Sequence, residues 1–164
     1  MAIIRGTETD DHLIGTPERD YIRGLGGNDW ISGAAGADSL EGNQGDDTLF
    51  GNAGDDVLFG DEGNDALYGN DGSDTFIFNS GGGKDSVGDF TVGQDKLYVA
   101  EGINDVGIHT IQDLANRVQE DGPASAVVDL GKGNSITLTN VSASDVQHHP
   151  EKYFSIIHTA DLYI

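Results

Sequence analysis

The sequence predicts an all-β fold: a right-handed parallel β-roll, wound as a solenoid of eight nonapeptide repeats. A C-terminal region with one helix and a β-hairpin caps it. Three observations predict this. From Gly6 to Ile77 the chain divides without insertion into eight blocks of nine residues, GTETDDHLI, GTPERDYIR, GLGGNDWIS, GAAGADSLE, GNQGDDTLF, GNAGDDVLF, GDEGNDALY and GNDGSDTFI. The first position is Gly in all eight and the sixth is Asp in all eight. The eighth is always apolar: Leu13, Ile22, Ile31, Leu40, Leu49, Leu58, Leu67 and Phe76. Exact internal periodicity of this length marks a solenoid, in which each unit buries its apolar face only against its neighbours.

Each block has room for one short strand and one turn. Positions seven to nine, such as Thr48-Leu49-Phe50, aim only the middle side chain inward. Positions one to six are too glycine-rich to continue a strand and too short for a helix, which predicts a turn. Two blocks therefore close one coil, and successive coils stack strands in parallel about 4.8 Å apart. One buried side chain per nine residues is too little apolar burial to offset the ordering of the chain.

Stacking also brings like charges together, since the Asp of each block lies beside that of the block two further on. A cation between stacked turns converts this repulsion into a scaffold. The available donors are oxygens: the carboxylates of Asp11, Asp20, Asp29, Asp38, Asp47, Asp56, Asp65 and Asp74, and the carbonyls of turns whose glycines allow close approach. Oxygen donors in this number suit Ca²⁺ better than Mg²⁺, which demands tighter octahedral geometry. The five histidines lie almost entirely outside the repeat and the chain has no cysteine, which argues against zinc or copper.

Blocks such as GLGGNDWIS (24–32) and GNAGDDVLF (51–59) resemble the G-G-x-G-x-D-x-U-x pattern of the RTX (repeats-in-toxin) calcium-binding nonapeptide-repeat family. The second position here is Asn, Asp, Ala, Leu or Thr and never Gly, and the first two blocks lack the fourth-position Gly, having Thr9 and Glu18. The resemblance implies calcium sites between turns two blocks apart, six pairs in all, of which the four within blocks three to eight match the pattern best. It places the remaining ligands on Gly24, Gly27, Gly33, Gly36, Gly42, Asn43, Gly45, Gly51, Asn52, Gly54, Gly60, Asp61, Gly63, Gly69, Asn70 and Gly72. Four to six calcium ions are expected. Similar family passages close the end of the roll, which implies that Asp85, Asp89 and Asp95 add to terminal sites.

The period ends at Ile77, and the domain reading is a roll over 1–80 and a cap over 81–164. DKLYV (95–99) reads as a further strand. Residues 110–120, TIQDLANRVQE, predict a helix: Ile111, Leu114, Ala115 and Val118 share one face, Thr110 and Asp113 form the capping pair, and Gly122-Pro123 stops it. Its apolar stripe is expected to pack on the roll. Residues 125–141 predict a hairpin around Gly131-Lys132-Gly133-Asn134, and the passage beginning at Ser142 opens on candidate helix caps and ends on an apolar, strand-like run. The last four residues, Asp161-Leu162-Tyr163-Ile164, resemble the uncleaved C-terminal signal of proteins exported by type I secretion machinery.

Composition narrows the function classes. Eight Lys+Arg against 29 Asp+Glu leave a formal charge of −21, which opposes nucleic acid and anionic lipid as partners. No apolar run approaches the ~20 residues of a membrane span, and the start, Met1-Ala2-Ile3-Ile4-Arg5-Gly6, lacks the pattern of a cleavable export signal. No G-x-S-x-G, H-E-x-x-H or P-loop pattern is present, and His148-His149 point opposite ways on an extended chain, so no catalytic residue is assigned. The expectation is a soluble, secreted bacterial calcium-binding protein that folds outside the cell. The rivals are a non-catalytic end module of a secreted protease, lipase or alginate epimerase, some of which bind polysaccharide, and a matrix protein that self-associates through the ends of its solenoid.

Overall fold

A computed structural model describes residues 1–122 and 124–158. The strands are β1 (Ile3–Arg5), β2 (His12–Ile14), β3 (Tyr21–Gly26), β4 (Trp30–Ser32), β5 (Ser39–Gln44), β6 (Thr48–Ala53), β7 (Val57–Glu62), β8 (Ala66–Asp71), β9 (Thr75–Phe78), β10 (Lys84–Val87) and β11 (Lys96–Ala100). There follow α1 (Ile111–Ala115), β12 (Val118–Glu120), β13 (Ser125–Gly131), β14 (Asn134–Thr139), α2 (Ala143–His148) and β15 (Phe154–Ile157).

As far as β11, odd and even strands separate into two sheets, as two blocks per coil require. One sheet runs β1-β3-β5-β7-β9-β11-β15 and the other β12-β13-β14-β10-β8-β6-β4-β2. Within the repeat all pairs are parallel, and the apolar column is continuous: Ile22 faces Leu40, Leu40 faces Leu58 and Leu49 faces Leu67. Seven of the eight column residues are fully buried, while Leu13, in the first coil, is only partly covered. The eight strict blocks undercount the roll. They supply β2 to β9, whereas β1 precedes them and β10 and β11 follow as imperfect repeats, giving about five turns.

Most strands exceed the three residues read from the repeat. In β5, the ladder continues beyond Glu41 to Asn43 and Gln44, which face Asp61 and Glu62. The reason is a kink at the second position: Asn43 has φ 77° and Asn52 φ 75°, a region that Asn tolerates best among non-glycine residues. One left-handed residue bends the chain without ending its pairing, so the turn contracts to positions four to six.

Both sheets continue across residue 80, between β9 and β10. The spacing widens there from 18 residues to 20 and 21, with Leu67 facing Val87 and Phe76 facing Leu97. Later segments then add parallel rungs to each sheet, β14 on β10 and β15 on β11. The predicted hairpin is β13–β14, turning at Lys132 (φ 53°) and Gly133 (φ 87°), the positive angles of a two-residue hairpin turn.

The helix predicted over 110–120 is shorter. Its capping box forms, with the Thr110 hydroxyl accepting from Asp113 N at 3.2 Å and Thr110 N donating to Asp113 at 2.8 Å. It ends at Ala115, and Val118–Glu120 becomes β12, antiparallel to β13 with Val118 opposite Val128. The open edge of β13 and a β-branched residue at 118 outweigh the helical period, because a strand there satisfies main-chain groups that a helix would leave bare. The cap also holds a second helix, α2, which buries Ala143 and Val146. Helix α1 packs on β13 and on β15, the last rung of its sheet, and so covers one end of the core. At the opposite end the first column residues, Ile4 and Leu13, are only partly buried among the described residues. Pro123 lies outside the described residues.

A substitution in the buried column tests the stacking. Leu49→Ala should cost about 3 kcal/mol in the calcium-loaded protein, the usual range for a core Leu→Ala, read by urea unfolding. A loss under about 1 kcal/mol, the level of a surface change, would contradict a shared core.

Candidate metal centres

The invariant aspartates lie inside the edges of the roll. From Asp29 onward, each accepts with one carboxylate oxygen, Oδ1, from the main-chain N–H of the Asp in the preceding coil, while Asp20 Oδ1 accepts from Ala2 N. Asp29 N donates to Asp47 at 2.7 Å, Asp38 N to Asp56 at 2.7 Å and Asp47 N to Asp65 at 2.8 Å. The ladder runs on through the imperfect repeats, Asp65 N to Asp85 at 3.1 Å and Asp74 N to Asp95 at 2.9 Å. Asp89 bonds instead to the N–H groups of Gly69 and Asn70.

The second oxygens differ. In Asp29, Asp38, Asp47, Asp56, Asp65 and Asp74, Oδ2 is buried and has no hydrogen-bond donor, although these residues are no more than 3% exposed. A buried carboxylate oxygen without a partner is costly, and six in register are a pattern rather than a defect. Each points over a first-position glycine. A Cβ on Gly51 would fall on Asp56 Oδ2 and lie 2.8 Å from the carbonyl of Gly69, and one on Gly42 would fall on Asp47 Oδ2 and lie 2.8 Å from the carbonyl of Gly60. Gly24 with Asp29 and Gly42, and Gly33 with Asp38 and Gly51, repeat the arrangement. The result is four cradles, each joining a carboxylate oxygen to a stacked carbonyl above a bare Cα. Asp65 and Asp74 face the irregular turns instead.

Fourth-position glycines serve a second need. Gly54 has φ 138°, and a Cβ on it would overlap the carbonyl of Gly36 in the coil below. Gly27, Gly36, Gly45, Gly63 and Gly72 share the positive φ. The second-position side chains make hydrogen bonds of their own. Asn43 donates to Asp61 at 3.0 Å, Asn52 to Ser32 Oγ and Phe50 O, and Asn70 to Tyr68 O, all on the outer register of their sheets. They stand there for their backbone angles.

Repeat reading missed a second ladder of opposite direction. The fifth-position side chains accept from the following coil: Asp10 from Asn28 N, Asn28 from Asp46 N, Asp46 from Asn64 N and Asn64 from Lys84 N, at 2.8 to 3.1 Å. Along this edge Asp alternates with Asn, so like charges are never stacked directly. That alternation is visible in the blocks once the two-block coil is known.

Burial dominates the electrostatics. Loss of solvent pushes the carboxyl of Asp47 up to about 7, those of Asp56, Asp65 and Asp74 up to about 6, and that of Asp85 up to about 8, the accepted N–H bonds opposing the rise in each case. Burial also raises Asp29, Asp38 and Asp95. Asp20 moves the other way, held down by the Ala2 N–H, the Thr16 N–H and the Thr16 hydroxyl. The donor set therefore fits a hard dication: hard oxygens, orphaned carboxylates and glycines without side chains in the way. Among the described residues no three His, Asp or Glu side chains converge, so the other donors beside each carboxylate are main-chain carbonyls.

Comparison with known proteins agrees with this centre. A calcium-binding β-roll is the class that the stacked coils and cradles define. Within it, residues 5–40 and 41–76 each match the family model of the RTX calcium-binding nonapeptide repeat, a four-copy pattern. Among solved structures, the AlgE6R3 subunit of the mannuronan C5-epimerase of Azotobacter vinelandii is 26% identical with a TM-score of 0.52, over 96% of this chain and 83% of that one. The extracellular lipase LipA of Serratia marcescens is 18% identical with a TM-score of 0.47, over 90% of this chain, which spans only 38% of the lipase. No curated protein matches the chain significantly.

The raised carboxyls give a pH test. Their folded values lie above the unfolded value of about 3.9, so without metal they favour the folded state fully below pH ~4 and less as pH rises through about 6 to 8. In EDTA, strand content by circular dichroism should increase from pH 8 to pH 5, while calcium affinity should fall over the same interval. Strand content that stays constant or decreases on acidification would contradict the burial of these groups.

Proposed function

We propose that this chain is a calcium-triggered folding module of a secreted bacterial protein, exported by type I machinery before calcium orders it. The observation that carries the reading is the row of six buried Asp Oδ2 atoms without donors, from Asp29 to Asp74. Bound calcium supplies positive charge and a cross-link between coils, a role that here replaces apolar burial. The rest is the chain's own work. The glycines hold carbonyls beside the carboxylates, the fifth-position ladder sets the coil spacing, and the −21 charge opposes collapse while metal is scarce. Extracellular calcium is of the order that weak, millimolar oxygen sites require.

The role is structural and binding, with no reaction assigned. The similarity to the epimerase subunit, over nearly the whole chain, supports reading it as an end module of an exoenzyme. The proposed division into a roll over 1–80 and a cap over 81–164 marks where the nine-residue period ends, and the sheets of the roll run on into the cap through β10 and β11. Asp161-Leu162-Tyr163-Ile164 lie outside the described residues and are proposed as the export signal; no helix among the described residues is long and apolar enough to cross a membrane.

Calcium titration followed by circular dichroism and calorimetry tests the switch. Strand signal should appear cooperatively with four to six ions bound, vanish in EDTA and stay absent with magnesium. A chain fully folded in EDTA at pH 7.5 and indifferent to calcium would overturn it. For export, deletion of 161–164 should abolish secretion by a type I-competent host and leave calcium-driven folding unchanged; undiminished secretion would remove the signal from those residues.

A further inference from the structure

Three aspartates of the ladder depart from the other members. Asp11 Oδ2 accepts from Thr7 N at 2.6 Å and from the Thr7 hydroxyl at 2.8 Å. Asp20 Oδ2 accepts from Thr16 N at 2.6 Å and the Thr16 hydroxyl at 2.7 Å. Asp95 Oδ2 accepts from Thr91 N at 2.7 Å. In each case the threonine stands four residues before the aspartate.

At that position the interior blocks carry Leu25, Ala34, Asn43, Asn52, Asp61 and Asn70, all at φ between 69° and 87°, and their six aspartates keep a bare Oδ2. Thr7, Thr16 and Thr91 are not in the left-handed region. The turn thus has two states set by one residue. A left-handed second position leaves the oxygen open, and a threonine with ordinary φ lends it an N–H, plus a hydroxyl in the first two blocks. The fourth-position glycine does not draw this line, because the Asp95 turn carries Gly93 at φ 85° and is still closed.

We infer that Thr7, Thr16 and Thr91 determine where calcium stops, by completing the carboxylates of Asp11, Asp20 and Asp95 so that these turns hold no ion. This rests on the calcium reading of the interior cradles. At an open turn an ion meets an oxygen with no partner. At a closed turn it must first displace one or two charge-assisted hydrogen bonds, about twice as strong as neutral ones. The space itself is not lacking: a Cβ on Gly6 would lie 2.5 Å from Gly24 O and 2.7 Å from Asp11 Oδ2, so the first coil has the same cradle with its oxygen already occupied. The threonines fall in the first coil and the last imperfect repeat of the roll. The turns of the first coil and the last turn of the Asp95 edge are therefore closed to metal by the chain's own donors.

Native mass spectrometry and calorimetry at saturating calcium count the ions. D56N should bind one ion fewer than wild type, whereas D11N and D20N should bind the wild-type number. Grafting block six onto block two (Thr16→Asn, Pro17→Ala, Glu18→Gly and Arg19→Asp) should add one ion. The inference is overturned if D11N or D20N loses an ion as D56N does, or if a graft with native circular dichroism keeps the wild-type count. Should the graft not fold, the two Asn variants decide alone. A wild-type chain that binds no calcium overturns the calcium reading itself, an outcome distinct from any difference among the variants.

Discussion

Each interior block of this roll buries one carboxylate that is half satisfied. Oδ1 takes a main-chain N–H from the coil before, and Oδ2 of the six interior aspartates takes nothing. In a protein with a thick apolar core such a group would be rare. Here the core is a single file of side chains, and the carboxylates repeat at the same interval as that file. The first-position glycines exist to leave room for Oδ2, and the fourth-position glycines exist because the next coil's carbonyl occupies the place of a Cβ. The spacing of the coils, the parallel pairing and the charge of the chain all follow from this one stacked contact.

Stability is accordingly uneven along the axis. On the proposed reading, the middle coils share in the binding free energy of calcium, since a metal that binds only the folded state stabilises it by mass action. The C-terminal end is of another kind. There the aromatic residues Phe76, Phe90, Tyr153 and Phe154 pack together, the Tyr153 hydroxyl donates to Asp145 at 2.5 Å, and buried Asn104 ties Ser80 and Gly81 to Leu130. This is an ordinary apolar and hydrogen-bonded core, built from residues far apart in sequence. It gives the roll a finished face against which the metal-dependent coils can stack.

The same acidity has opposite consequences in the two states. Unfolded, 29 acidic residues against eight basic ones keep the chain expanded and soluble. Folded, the excess becomes a fixed array that a dication can neutralise along the interior turns. On the proposed reading, the transition depends on calcium concentration rather than on a partner or a covalent change. The alternation of Asp10, Asn28, Asp46 and Asn64 on the outer ladder shows the limit: where no ion intervenes, carboxylates are spaced by amides.

The repeat was legible because its causes are local. A nine-residue period, a glycine that must lack a side chain and an apolar residue at one position of the pleat determine strand, turn and coil without reference to distant residues, and they placed the aspartate columns as well. What sequence left undecided depended on neighbours brought together only by folding. Val118 follows the helical period yet lies in β12, because the edge of β13 was available to it. Strands β14 and β15 join the two sheets through registers that no period announces. Thr7 and Thr16 were plain in the blocks, but that each fills the vacancy of its own aspartate is a matter of side-chain direction in three dimensions. Periodicity encodes what every coil repeats; packing decides how the ends are closed and which carboxylate oxygens stay free, because those depend on contacts that occur only once.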